Sequence, residues 1–142
     1  SAAYFQWSDE RDPMRYTPSM SKRARSVELW AILRSLGRDG VVRLVEQLCT
    51  HAQDFAHQLG AEGFQIHNDV VFNQVLVSCG TDEETGRTLA AIQELGECWC
   101  GGSTWHGRSV IRVSVCSWST TQEDIRRSVQ AFSKARQLAR TH

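Results

Sequence analysis

The sequence has no excess of charge of either sign, no long apolar run and little proline or lysine. Sixteen Lys and Arg balance sixteen Asp and Glu, which excludes the clustered basic surplus that binding to nucleic acid requires. No apolar segment approaches the roughly 18 residues that span a bilayer, and the first residues do not form a signal peptide. We therefore expect a cytoplasmic protein without a nucleic-acid or membrane partner. Because residue 1 is Ser rather than Met, we also expect a cut end there.

The cysteines and the missing catalytic motifs limit the chemistry further. Five cysteines are an odd number, which is typical of reduced thiols in a cytosolic protein. Cys98 and Cys100 with His106 could be imagined as zinc ligands, but no second well-spaced pair accompanies them. Buried thiols are the better account, so we predict no metal site. The sequence also lacks G-x-S-x-G, H-E-x-x-H and phosphate-loop patterns.

The 142 residues, 41% of them hydrophobic and five of them Trp, suit one globular domain. After an aromatic-rich arm, a helix is predicted with Ser19 or Ser21 as N-cap and Gly37 as its end. Its first turn is basic, from Lys22 to Arg25, and is either a solvated surface or an anion site. A second helix, from about residue 39 to 59, has an apolar face; we expect its histidines on the surface. That face comprises Val42, Val45, Leu48, Cys49, Ala52, Phe55, Ala56 and Leu59.

Two strands are then predicted in "FQIHN" and "VVFNQVLVSC", followed by a helix capped at Thr81 or Asp82 that ends at Gly96. A hairpin turns at His106 and Gly107. A capping box of Thr120 with Glu123 opens a last helix that runs to about residue 139. The order α, α, β, β, α, β, β, α predicts an α+β fold with an antiparallel sheet of about four strands and helices on one side.

Arg112 stands in the middle of the strand "RSVIRVSVC". Because side chains alternate between the faces of a strand, Ile111, Val113 and Val115 should share the core face and Arg112 the other. An unpaired buried guanidinium is costly, so its head should lie in solvent or meet an anion. Its planar fork of donors suits a carboxylate or a phosphate. The residues alone leave both possibilities open.

Three segments resemble one protein family. They are "YTPSMSKRARSVELWAILRSLGRDG" (16–40), "FNQVLV" (72–77) and "TWHGRSVIRVSVCSWSTTQEDI" (104–125). Together they resemble the carboxyl-terminal third of the group II pyridoxal-phosphate (PLP)-dependent amino-acid decarboxylases, which include aromatic-amino-acid, glutamate, histidine and diaminobutyrate decarboxylases. The resemblance extends from residue 1 to about residue 139.

This resemblance implies fold type I of the PLP enzymes, in which a large PLP domain precedes a small α+β domain and two subunits form a homodimer. It implies that residues 1–36 are an arm and a helix linking from an absent large domain, and that residues 37–142 are the small C-terminal domain. The family's Schiff-base lysine would lie upstream of Ser1, since neither Lys22 nor Lys134 stands in its context. The isolated chain is therefore expected to be inactive, with no catalytic residue of its own.

Three residues acquire roles from the resemblance. Arg112 matches the position from which family members present an arginine to the substrate carboxylate, where a bidentate pair would orient the amino acid. Met20 and Ser21 match a loop that reaches the partner subunit's site, Met20 toward the substrate and Ser21 toward PLP. Ser21 could serve as a helix N-cap at the same time.

Two hypotheses follow. The chain is a fragment of a PLP-dependent L-amino-acid decarboxylase that closes the active site and supports the dimer. Alternatively, it is a free-standing α+β module that binds a small anion with Arg112 and the basic helix start.

Overall fold

In a computed structural model, the structure describes residue 16 and residues 23–141, apart from the side chain of Arg25. The chain divides into two units, Ser1–Arg38 and Asp39–His142. The predicted domain boundary at residues 36 and 37 stays a prediction. The elements, in chain order, are α1 (Arg25–Ala61), β1 (Gln65–Ile66), β2 (Gln74–Ser78), α2 (Asp82–Leu95), β3 (Gly101–Trp105), β4 (Arg108–Ser114) and α3 (Gln122–Thr141).

Helix α1 is interrupted at Gly37, which has φ 63° and ψ −177°. Only glycine adopts this conformation readily. The prediction that the first helix ends at Gly37 is therefore confirmed. The predicted start is wrong: residues 23 and 24 are not helical, and α1 begins at Arg25. Glu28 lies in the first turn, where the helix dipole favours an acid, and it pairs with Arg23 just outside the helix.

The four strands form one antiparallel sheet in the order β1, β2, β4, β3. The β3–β4 hairpin turns at His106 and Gly107, whose φ angles of 47° and 77° are both in the left-handed region. Two consecutive positive φ angles are typical of the two-residue turn that matches the twist of a hairpin. The predicted α+β class, the four antiparallel strands and the hairpin turn are therefore confirmed.

Within the second unit, α2, α3 and the later part of α1 pack on one face of the sheet. Phe132 of α3 makes edge-to-face contacts with Phe55 of α1 and with Phe64, at ring-centroid distances of 5.4 and 5.9 Å. On the sheet side, Val75, Val77 and Ile111 complete this core and are fully buried. The packed face is therefore held by aromatic and β-branched side chains that interdigitate between the two layers.

The predicted apolar face of the second helical segment is partly correct. Its later residues from Ala52 to Leu59 enter the core, whereas Val42 and Val45 are 46% and 37% exposed. The prediction that both histidines lie on the surface is wrong for His51, which is 7% exposed. His51 is one turn before Phe55 on the buried side of the helix, so packing rather than polarity decides its place.

The N-caps of α2 and α3 both use the side-chain hydrogen bonds that were predicted. The N-cap of α3 lies one residue later than predicted. Thr81 caps α2 by accepting a hydrogen bond from the backbone N–H of Glu84. For α3 the capping box is Thr121 with Asp124, not Thr120 with Glu123. The Thr121 hydroxyl accepts from the Asp124 N–H at 3.2 Å, and the Asp124 carboxylate accepts from the Thr121 N–H at 2.9 Å.

Candidate functional site

One face of strand β4 is packed against the helices. The other, which we call the open face, is exposed at Arg108 and Arg112 but buried at Val110. Ile111 is fully buried among the helices, whereas its neighbour Arg112 is exposed on the opposite face. Arg112 is paired across the sheet with Leu76 of β2 and Gly101 of β3. The alternation predicted for this strand is therefore present, with the guanidinium near the centre of the open face.

The Arg112 side chain has no polar partner in the described part of the chain. Among residues 23–141 it makes no hydrogen bond and no ion pair. Space is also available beside it, because a Cβ added at Gly101 would meet no atom within 4 Å. The guanidinium is therefore free to receive a carboxylate in the two-pronged manner for which its donors are arranged.

A second polar group on this face, His67, was missed by the sequence analysis. The His67 backbone N–H donates to the Leu76 carbonyl at 2.9 Å, which extends the pairing of β1 with β2 by one residue. His67 therefore lies in the same cross-strand row as Leu76, Arg112 and Gly101. Its Nε2 is 2.7 Å from the hydroxyl of Ser78. Alternation within "FQIHN" could have placed His67 opposite the buried residues, but only the strand pairing places it beside Leu76.

The cleft at the end of the sheet, about 190 Å³ in volume, is a poor place for an anion. It is lined in part by Cys98, Trp99, Cys116 and Asp124, and Arg112 is not one of its lining residues. Hydrogen bonds from Thr121 hold the pKa of the Asp124 carboxyl below its usual value. A charged carboxylate at the cleft repels other carboxylates, so the open face around Arg112 is the better candidate site.

The cysteine and histidine residues do not converge on a metal site. Cys100 precedes β3 and is buried, whereas His106 follows β3 in the exposed hairpin turn. Burial raises the pKa of the Cys100 thiol to about 12, so the thiolate that a metal would bind is disfavoured. In the part of the chain that the structure describes, no group of three His, Cys, Asp or Glu side chains could hold a metal ion.

The lysine of the described residues lies away from Arg112. Lys134 is the lysine within residues 23–141, and it lies exposed on α3, beside Glu97 and Arg127 in one surface depression. Helix α3 belongs to the layer on the packed side of the sheet, so Lys134 and Arg112 are on opposite sides. Lys22, Met20 and Ser21 lie outside the described residues, and the predicted contacts of Met20 and Ser21 stay predictions.

Comparison with known proteins identifies relatives among amino-acid decarboxylases. The chain is 30% identical over 135 residues to histidine decarboxylase of Drosophila melanogaster, a match that covers 92% of this chain and 15% of that protein. No protein-family model matches the chain. Among the described helices, none combines the length and apolarity that crossing a bilayer requires.

Solved structures share the fold at lower sequence identity. Oryza sativa TDC with PLP and tryptamine superposes with a TM-score of 0.75 at 18% identity, over 82% of this chain and 27% of that one. The glutamate decarboxylase domain of diaminobutyrate-pyruvate transaminase and L-2,4-diaminobutyrate decarboxylase from Vibrio parahaemolyticus gives a TM-score of 0.70 at 12% identity, with the same coverage. The fold is therefore one that amino-acid decarboxylases contain. The chain spans less than a third of the length of these relatives.

Proposed function

We propose that this chain is the C-terminal part of a PLP-dependent L-amino-acid decarboxylase of group II. The sequence match to a histidine decarboxylase and the shared fold with TDC support the assignment. The small fraction of each relative that is matched supports a part of a larger enzyme. In this proposal the rest of the enzyme contributes the large PLP domain, and the assembled protein is a cytoplasmic homodimer.

The observation that carries the proposal is the unpaired guanidinium of Arg112 on the open face of the sheet. In the complete enzyme, this face would close the active site and Arg112 would hold the α-carboxylate of the substrate through two parallel hydrogen bonds. Such a charge-assisted fork fixes the orientation of the amino acid before reaction, which is a contribution to positioning. An exposed arginine that makes no hydrogen bond or ion pair within residues 23–141 is available for that task.

The remaining roles belong to the assembled dimer. We place Met20 and Ser21 at the partner subunit's site, near its substrate and its PLP respectively. PLP, when bound by the rest of the enzyme, supplies the electron sink that decarboxylation of an amino acid requires. Since neither Lys22 nor Lys134 stands in the sequence context of the family's Schiff-base lysine, we expect the 142-residue chain to have no decarboxylase activity alone.

The test is a pair of arginine substitutions in the complete enzyme that contains this chain. Arg112→Lys keeps the charge but loses the planar fork, so kcat/KM for decarboxylation should fall by roughly 10- to 100-fold. Arg108→Lys is the matched control, because Arg108 is exposed on the same strand and the same face, four residue pairs further along the hairpin. Equal kinetics for the two variants would remove Arg112 from the site.

A second experiment separates the enzyme from a free-standing anion-binding module. The isolated chain is titrated with small carboxylates and then mixed with the separately produced remainder of the enzyme and PLP. Decarboxylation that appears only in the mixture supports the proposal. Tight carboxylate binding by the chain alone, with no activity gained from the remainder, supports the module instead.

A further inference from the structure

His67 and Arg112 lie in the same cross-strand row of the open face, which we call the polar row. Between them lies Leu76, which is half-buried and pairs with both strands. Since neighbouring strands are about 4.8 Å apart, the backbones of His67 and Arg112 are separated by roughly 10 Å. An amino acid whose carboxylate is held by the long side chain of Arg112 can span that distance. Leu76 would then lie under the methylene groups of the ligand.

The imidazole of His67 is held in one orientation by a buried hydroxyl. Ser78 is 1% exposed, and its hydroxyl donates to the Cys79 carbonyl at 3.2 Å. A serine hydroxyl has a single hydrogen, so the arrangement that makes a hydrogen bond of both contacts has the Ser78 hydroxyl donate to Cys79 and accept from His67, with the proton on Nε2 of the ring. The hydrogen bonds of Ser78 therefore assign the tautomer of His67 and fix the direction of its ring.

The other ring nitrogen, Nδ1, is then a bare acceptor. It makes no hydrogen bond among the described residues. Nδ1 of His67 is also not buried. In residues 23–141, the buried side-chain nitrogen that lacks a hydrogen bond is Nδ1 of His51. The open face thus presents a donor fork at Arg112 and an oriented acceptor at His67.

We propose that His67 is a specificity-determining residue that selects amino acids whose side chain carries an N–H or O–H donor. The inference rests on the proposed function, because it requires Arg112 to hold the α-carboxylate of the same ligand. A donor on the side chain would pair with Nδ1, whereas an apolar side chain of equal size would displace water from Nδ1 and leave it unpaired. Sites built around a polar group discriminate in this way against analogues that lack the matching group.

The test compares matched amino acids in the complete enzyme at one fixed pH. One pair is L-2,4-diaminobutyrate and L-norvaline, which differ by an ammonium in place of a methyl group. The other pair is L-tyrosine and L-phenylalanine, which differ by one hydroxyl. For at least one pair, kcat/KM should favour the donor-bearing member, and His67→Leu should reduce that ratio by roughly tenfold.

Two conservative variants distinguish a role in binding from a role in packing. His67→Asn keeps an acceptor near the position of Nδ1 and should retain much of the selectivity. His67→Gln places its amide near the position of Nε2, so it can still bond to Ser78, and it should lose the selectivity. Ser103→Ala is the control on the same face, since Ser103 is exposed on β3 beyond β4 and remote from His67; it should leave the ratio unchanged.

The outcomes separate this inference from the proposed function. Arg112→Lys should lower kcat/KM for both members of a pair and leave their ratio unaltered. A wild-type enzyme that favours neither donor-bearing amino acid, or a His67→Leu variant with an unchanged ratio, overturns the role of His67. Either result leaves the Arg112 measurement standing as a separate test of the carboxylate site.

Discussion

Alanine substitutions at two adjacent positions of β4 should have very unequal effects on the free energy of unfolding. Ile111 is fully buried in the core, with 0% of its surface in solvent, and it pairs with Val77 and Gly102. Ile111→Ala should lower the free energy of unfolding by about 3 kcal/mol, from the lost burial and the cavity left behind. Arg112→Ala removes an exposed side chain with no partner among the described residues, so its effect should stay within about 0.5 kcal/mol.

Urea denaturation of the 142-residue chain, followed by far-ultraviolet circular dichroism, measures both effects. With a slope of roughly 2 kcal/mol per molar urea, Ile111→Ala should shift the midpoint downward by about 1.5 M and Arg112→Ala by less than about 0.3 M. A loss of more than about 1.5 kcal/mol in Arg112→Ala would mean that the guanidinium stabilises the fold. The assignment of this arginine to a ligand would then lose its basis.

Two further predictions concern the second unit. Thr121→Val should lower the free energy of unfolding, measured in urea, by about 1 kcal/mol, because Thr121 is the residue that caps α3. Thr120→Val should have little effect. Equal effects of the two variants would contradict the observed cap. The pKa of Cys100 is raised to about 12 by burial, so the folded state keeps a proton that the unfolded state loses above its ordinary pKa of 9.0. The free energy of unfolding should therefore fall as pH rises above about 9. Cys100→Ala should make that decline less steep. An unaltered pH profile in this variant would show that Cys100 does not titrate on unfolding.

Local patterns in the sequence were sufficient for the elements and for the orientation of Arg112. A glycine that adopts φ 63° ends the first helical segment, and the His106–Gly107 pair forms the hairpin turn. Period-two alternation places Ile111 and Arg112 on opposite faces of β4. Each of these features depends on backbone preferences or side-chain spacing within a few neighbouring residues, which a sequence displays directly.

Tertiary structure decided what these patterns leave open. The strand order and register place His67 of one segment beside Leu76 and Arg112 of two others. His51 was predicted to lie on the surface because it is polar, but helix packing buries it. The capping box of α3 moved from Thr120 to Thr121, the neighbour whose hydroxyl meets the Asp124 N–H. Contacts between residues distant in the chain depend on how whole elements bury their apolar faces together, so the polar row became visible only in the folded sheet.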